Sequence, residues 1–173
     1  MSATASDRRS SGPETGAPRL YTPEQRARRD ASVWTLVQGV LAPLQFLVFL
    51  VSLALVARAL ATGAGYEAAT ASIVLKTLVL YAIMITGAIW EKVVFGRYLF
   101  APAFFWEDVV SMLVLALHTA YLAALIAGWG GPAEQLVLAL AAYAAYVVNA
   151  AQFLWKLSLA RRDAAAPGAE AAA

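Results

Sequence analysis

A cluster of side chains that could do acid–base chemistry lies between two long apolar segments of this sequence. Residues 90–108 read W-E-K-V-V-F-G-R-Y-L-F-A-P-A-F-F-W-E-D. They include three carboxylates (Glu91, Glu107 and Asp108), two cations (Lys92 and Arg97) and a group of aromatic rings. Neighbouring carboxyl groups push each other's proton affinities apart, which is what an acid–base pair requires. Charges beside aromatic rings also suit a flat, apolar ligand with one charged end.

The composition indicates that lipid is the solvent of this chain. Of its 173 residues, 61% are hydrophobic and only 14% are charged, whereas about a quarter of the residues of a soluble domain are charged. The lack of cysteine excludes disulfides and Cys-ligated metal sites, and the single histidine excludes a His-cluster site. A net charge of +2 without a basic stripe does not indicate nucleic-acid binding.

Four apolar segments predict an all-α membrane protein. They cover about residues 33–57, 69–91, 106–127 and 134–157. Each approaches the roughly 20 residues needed to cross a bilayer, and in lipid every backbone amide needs an internal partner, so these segments must be helices. Short connections predict an up-down-up-down four-helix bundle over residues 21–158, with a short interfacial helix at 22–32. Residues 1–20 and 159–173 are expected to be disordered tails.

Lys and Arg residues are concentrated on one side of this predicted bundle. They flank the first and last spans and the connection between the second and third spans. Cytoplasmic loops of membrane proteins carry the excess of Lys and Arg, so both termini and residues 90–108 are expected in the cytoplasm. Arg58 is expected on the opposite side. Lys76, within the second span, is expected to extend its amine outward toward Glu67.

Polar residues recur on single faces of the first and fourth spans. Gln38, Gln45 and Ser52 repeat every seven residues, which places them on one side of the first helix. Such groups either join membrane helices by hydrogen bonds or contact a substrate in the bundle interior. The fourth span carries a similar stripe toward its cytoplasmic end: Tyr146, Asn149, Gln152, Phe153 and Lys156. The amine of Lys156, at the end of this stripe, either reaches the membrane interface or contacts substrate.

The only histidine, His118, lies in the third span. It shares a helix face with Glu107 and Ser111 and lies about 16 Å deeper than Glu107, at 1.5 Å per residue. Glu107 and Asp108 occupy the first turn, where carboxylates also favour a helix N-terminus. A histidine at this depth is a hydrogen-bonded core residue, a proton carrier or a ligand to the metal of a bound pigment. Magnesium's preference for oxygen ligands weighs against the last interpretation.

Four stretches of this sequence resemble a known family. They are L-Y-T-P-E-Q-R-A-R-R-D-A-S-V-W-T-L-V-Q-G-V-L-A-P-L-Q-F at 20–46, W-E-K-V-V-F-G-R-Y-L-F-A-P-A-F-F-W-E-D-V at 90–109, A-L-H-T-A-Y-L at 116–122 and Y-V-V-N-A-A-Q-F at 146–153. They are similar to the 3-vinyl bacteriochlorophyllide hydratases of bacteriochlorophyll a synthesis, over about residues 20–157. The resemblance implies a hydro-lyase of the bacterial inner, intracytoplasmic photosynthetic membrane. It would add water to the C3-vinyl group of a chlorophyllide or bacteriochlorophyllide without a redox cofactor.

The resemblance also implies a site for a flat chlorin disc with one free propionate. The disc is expected to insert between helices against four aromatic rings: Phe104, Phe105, Trp106 and Tyr146. Asn149 and Gln152, on the polar stripe of the fourth span, are expected to contact it as well. The propionate would be held by one of three cations: Lys92, Arg97 or Lys156.

Proton transfer in such a site would fall to Glu91, Glu107 or Asp108. His118 would relay protons or ligate the magnesium of the pigment, and no metal or cofactor of the protein's own is expected. Lipid and other pigment-biosynthesis enzymes are further expected partners. Two other interpretations remain open. One is a tetrapyrrole-binding or assembly protein without catalysis, and the other is a four-helix scaffold or transporter-like subunit without pigment.

Overall fold

The computed structural model describes residues 20–165, with side chains to residue 162. Its five helices are α1 (Pro23–Ala31), α2 (Val33–Thr62), α3 (Tyr66–Phe95), α4 (Phe105–Ala127) and α5 (Pro132–Ala165). No strand occurs within this part of the chain. The prediction of an all-α fold with four long apolar helices is therefore confirmed.

Each long helix extends beyond the apolar segment that predicted it, because its polar flanks are helical too. For example, α2 reaches Thr62 rather than 57, and α3 begins at Tyr66 rather than 69. Helix α5 continues to Ala165, so residues 159–165, which were expected in the C-terminal tail, are helical instead. The other residues of the two expected tails, apart from residue 20, lie outside the described range.

Helix α1 is a short polar helix that leads directly into α2. The side chain of Thr22 accepts a hydrogen bond from the amide of Gln25 at 3.2 Å, and the Gln25 side chain accepts one from the Thr22 amide at 3.0 Å. Ser32 ends α1 and caps α2 with its own side chain. The Tyr21 ring stacks on Phe95 with 5.8 Å between centroids. These contacts fix the start of α1 beside the end of α3.

Helices α2 to α5 are each long and apolar enough to cross a membrane, which makes the chain a multi-pass membrane protein. Large apolar side chains cover their outer surfaces, among them Leu36, Ile126 and Val148, which are 67%, 85% and 55% exposed. Lipid tails solvate such a surface, whereas water would drive it to aggregate. Helix α2 packs chiefly on α3, and α4 chiefly on α5. The two helical hairpins meet along a less extensive interface.

A chain of hydroxyl groups joins α2, α3 and α5 in the bundle interior. The hydroxyl of Ser52 lies 2.7 Å from that of Ser72 and 2.5 Å from that of Tyr143. Gln45 is buried on the same face of α2, and Gln38 donates a hydrogen bond to α3. Two members of the predicted polar stripe of the first span thus join helices, as one of its two interpretations requires.

Lys76 is buried in the bundle, and the prediction that its amine extends outward toward Glu67 is wrong. The side chain has no exposed surface, and its Nζ lies 3.8 Å from the centroid of the Tyr146 ring on α5. Lys76 falls on the same stripe of α3 as Ile73 and Leu80, which are buried as well, so the helix turns it inward. The face of an aromatic ring attracts the ammonium group there.

Replacing Ser52 with alanine should lower the stability of the bundle. The change leaves the buried Tyr143 hydroxyl without its partner on α2, which costs about 1–2 kcal/mol in a membrane interior. The midpoint of an SDS unfolding titration of the purified protein should therefore fall. Ser158→Ala is the control, because that hydroxyl donates to a carbonyl of its own helix. An unchanged midpoint for Ser52→Ala would contradict the role assigned to the hydroxyl chain.

Candidate active site

The loop between α3 and α4 folds back over the ends of both helices. Helix α3 ends at Phe95 and is capped by Gly96, whose φ of 84° is a left-handed conformation that glycine adopts without steric cost. The loop then carries Phe100 with a φ of 59°, the one positive φ of a non-glycine residue in the described range. This conformation costs a residue with a side chain about 1–2 kcal/mol. Contacts of the loop must therefore hold it in place.

Two buried carboxyl groups provide those contacts. The amide of Ala101 donates to Oε2 of Glu91 on α3 at 3.2 Å, and the amide of Phe100 donates to Oδ2 of Asp108 on α4 at 2.6 Å. Glu91 and Asp108 are only 5% and 3% exposed, and their carboxyl groups are in hydrogen-bonding contact with each other. One carboxyl group from each helix and two consecutive backbone amides thus form a closed cluster, the carboxyl pair.

Glu107, the third predicted carboxylate, contacts a different helix. It is buried, and its Oε1 lies 3.6 Å from Nζ of Lys156 on α5. Lys156 also donates to the carbonyl of Ala103 at 2.5 Å. The Asn149 side chain donates to the Glu107 carbonyl at 3.0 Å and accepts from the Ser111 hydroxyl at 3.2 Å. These contacts fix the start of α4 against α5, beside the carboxyl pair.

Lys92 and Arg97 are exposed at the same end of the bundle as the carboxyl pair. Each donates a hydrogen bond to a carbonyl of the loop, at 2.8 Å for Lys92 and 3.3 Å for Arg97. Ammonium and guanidinium groups have further N–H donors, so both side chains can also bind an anion. Lys156 is largely buried and already paired with Glu107. The three predicted cations therefore have different surroundings.

The four aromatic residues of the predicted pigment lining occupy three separate places. Phe105 and Trp106 are 44% and 67% exposed at the start of α4. Tyr146 lies deeper, with its ring centroid 4.8 Å from that of Phe49. Phe104 is buried in a cluster of rings that includes Tyr21, Trp90, Phe95 and Phe153. The structure therefore does not bring these four side chains to one cavity.

His118 lies deep in the bundle, apart from the carboxyl pair. Its Nδ1 is 2.8 Å from the carbonyl of Val114, which places the proton on that nitrogen. Its Nε2 is buried and has no hydrogen-bond partner among the residues that the structure describes, and the same holds for Oε1 of Gln152. About ten residues of α4 separate His118 from Asp108, or about 15 Å along the helix axis. The two side chains therefore cannot contact the same reacting bond.

One feature of this region has no clear counterpart in the sequence patterns. The amides of Phe100 and Ala101 bind the carboxyl pair, but Gly96 and Pro102 indicate only that the chain turns here. The inward position of Lys76 does have a signal in the sequence, because Lys76 lies on the apolar stripe of α3.

Within residues 20–165 no three His, Asp or Glu side chains are grouped as ligands for a metal ion.

Comparison with known proteins identifies the family. The chain matches the family model described as 2-vinyl bacteriochlorophyllide hydratase over residues 21–159. A relative of that name from Cereibacter sphaeroides is 72% identical over 145 residues, which cover 84% of this chain and 90% of the relative. Another, from Rhodobacter capsulatus, is 69% identical over 150 residues, which cover 87% of each chain. No solved structure matches the chain.

The names with locants 2 and 3 describe the same vinyl group, because the older tetrapyrrole numbering assigns 2 to the ring position now numbered 3. The match includes the carboxyl pair, the loop that binds it and the helices on either side. It therefore confirms the family that the sequence resembles. This chain belongs to the 2-vinyl bacteriochlorophyllide hydratase family.

Proposed function

We propose that this chain is a membrane hydro-lyase that adds water across the 3-vinyl group of a chlorophyllide or bacteriochlorophyllide, in bacteriochlorophyll biosynthesis. The product carries a 1-hydroxyethyl group in place of the vinyl group. Family membership supports the reaction, and the contact between Glu91 and Asp108 is the observation that supports the site. Hydration needs an acid and a base close to neighbouring carbon atoms. A contacting carboxyl pair supplies both.

The carboxyl pair gives and takes one proton in each turnover. Two buried carboxyl groups in contact share a proton, because two negative charges so close together are costly away from water. The protonated member gives its proton to the terminal vinyl carbon, and the macrocycle delocalises the positive charge that develops on the inner carbon. Water then attacks the inner carbon and gives one proton to the carboxylate. The pair returns to its starting state, and the substrate has gained one water molecule.

Contacts around the pair keep it ready for this reaction. The amides of Phe100 and Ala101 stabilise the ionised member by donating to it. Burial excludes bulk water, which would otherwise compete for the carbocation. Glu107, Lys156 and Asn149 position the start of α4, and with it Asp108, by bonding it to α5. In this proposal these three side chains support the reaction without transferring a proton.

Lys92 and Arg97 bind the free propionate of the substrate. Both are exposed beside the carboxyl pair, and the planar guanidinium group matches a carboxylate with two parallel hydrogen bonds. Phe105 and Trp106, exposed at the same end, contact lipid or the approaching macrocycle. The buried ring of Phe104 supports the loop.

Deeper groups form a second, separate part of the proposal. The free Nε2 of His118 is available to the magnesium of a bound pigment or to a proton on its way through the bundle. The unpaired amide oxygen of Gln152 and the ring of Tyr146 lie on the helix that packs beside it. The distance of His118 from the carboxyl pair separates these groups from the addition of water.

The site is proposed to face the cytoplasm, together with both termini. The positive-inside rule supports this orientation, because Lys92, Arg97, the arginines of α1 and Arg161 flank the spans at the proposed cytoplasmic end. The host membrane is then the inner, intracytoplasmic photosynthetic membrane of a bacterium. Other pigment-biosynthesis enzymes at the same surface would supply and remove the pigment.

Glu91→Gln and Asp108→Asn should each lower kcat of hydration at least about a hundredfold, because each removes one proton-transfer group. Membranes are given a 3-vinyl bacteriochlorophyllide, and the product heavier by one water is measured. Glu67→Gln, at the opposite end of α3, is the matched control and should keep full activity. Full activity in both pair variants would exclude the pair as the catalytic groups. A wild-type protein that shifts the pigment absorption but forms no product would be a tetrapyrrole-binding protein instead.

Arg97→Gln should raise KM about tenfold for a substrate with a free propionate, because one charge-assisted contact is worth about 1.5–3 kcal/mol. The methyl ester of the same substrate, which lacks that charge, should be hydrated with the same KM by wild type and variant. Arg28→Gln on α1 changes the net charge equally and serves as the control. Equal effects of Arg97→Gln on acid and ester would contradict propionate binding.

The orientation can be tested by labelling, because the natural sequence has no cysteine. Tyr98→Cys and Trp129→Cys place single thiols at exposed positions near opposite ends of the bundle, where the native side chains are 60% and 69% exposed. A membrane-impermeant maleimide added to intact spheroplasts should label only the second thiol, whereas inverted vesicles should give the opposite pattern. Labelling of the first thiol in intact spheroplasts would reverse the orientation.

A further inference from the structure

A lipid-facing groove runs along the seam between α3 and α4. It has a volume of about 330 Å³ and is lined by Tyr81, Met84, Ile85, Leu115 and Thr119. Its walls are apolar apart from two hydroxyl groups, and Ile85 is 63% exposed at its rim. The contact between α3 and α4 is much less extensive than the contact within either hairpin. A groove at this seam can therefore admit a flat molecule with little loss of helix packing.

Helical spacing places this groove and the carboxyl pair on the same seam. Met84 lies seven residues before Glu91 on α3, and Leu115 lies seven residues after Asp108 on α4. Residues seven apart share a helix face and are about 10 Å apart along the axis. The groove therefore lies on the same seam as the pair, about two helical turns farther along the two helices.

A hydrogen bond across the seam marks the deep end of the groove. The hydroxyls of Tyr81 and Thr119 are 2.8 Å apart, and since Thr119 donates to its own helix, Tyr81 is the donor between them. From Tyr81 to Glu91 the seam measures about 15 Å at 1.5 Å per residue. A tetrapyrrole macrocycle placed edge-on would fit this length.

We propose that the α3–α4 groove binds the macrocycle of the vinyl chlorin, which enters sideways from the lipid with its vinyl edge at the carboxyl pair. This inference rests on the proposed hydratase function. Three features of the seam match this ligand together: an apolar wall for the ring face, an acid–base pair at one end, and the exposed cations Lys92 and Arg97 beside that end for the propionate. A lipid chain would use only the apolar wall.

A second groove of the same kind provides an internal control. It lies between α2 and α3, has a volume of about 180 Å³ and is lined by Leu47, Val48, Val51, Ser72 and Leu75. It also faces lipid and is almost entirely apolar, but it contains no residue of the α3–α4 seam. Leu75 and Ile85 are both on α3 and are 53% and 63% exposed. The same substitution at these two positions therefore tests the two grooves under closely matched conditions.

The test compares Ile85→Trp with Leu75→Trp in nanodiscs. Chlorophyllide a, which carries the 3-vinyl group, serves as the probe for Kd by pigment fluorescence and as the substrate for kcat and KM. A tryptophan at 85 fills the α3–α4 groove and should raise both Kd and KM about tenfold with little change in kcat. A tryptophan at 75 should leave Kd and KM within about twofold of wild type. Leu115→Phe, on the opposite wall, repeats the test if the first variant does not accumulate.

The outcomes separate the groove from the proposed function. One outcome is that wild type hydrates the probe and the Trp variants at 85 and 75 do not differ in Kd. The groove then holds lipid chains, so the inference about the groove is overturned while the proposed hydratase function is retained. If wild type binds the probe without hydrating it, the proposed function fails, and the contrast in Kd still decides the groove. If wild type neither binds nor hydrates the probe, both proposals are overturned.

Discussion

Lipid offers no hydrogen-bond partner to a polar group, and this constraint shapes the site as much as the bundle. Glu91 and Asp108 are buried where two spans end, so each must find a donor within the protein. The loop supplies both donors from consecutive residues, and to do so it holds Phe100 in a left-handed conformation. Two side chains on different helices thus determine the path of the backbone between them.

The same constraint explains why the two helical hairpins meet through a few polar contacts. Between the hairpins, the Ser52–Tyr143 contact bonds α2 to α5, and within the second hairpin Asn149 and Lys156 bond α5 to the start of α4. Between α3 and α4, polar contacts occur at the carboxyl pair and again at the hydroxyls below it, with apolar side chains between these two levels. A seam of this kind keeps two helices in register without sealing the space between them.

The fold could be predicted from the sequence largely because lipid leaves few alternatives. Apolar length identified the four spans, and the turn residues located their connections. The site was predictable only in part. The carboxylates were recognisable as titratable groups at one level of the bundle, but their partners were not. In the structure Glu91 pairs with Asp108, whereas Glu107 points to α5. These pairings depend on how each helix is rotated about its axis, which a single sequence does not specify. Residue types do not show which backbone amides will bind a carboxyl group. A run of aromatic residues likewise does not show which rings pack together.

The buried side chain of Lys76 has a consequence for how the chain assembles. A lysine within a membrane-spanning helix is costly to insert, and the ring partner of this one, Tyr146, belongs to the last helix to be synthesised. The first hairpin therefore enters the membrane before this amine has its ring partner. The amine gains that partner only when the second hairpin docks, so docking of the two hairpins contributes to its burial.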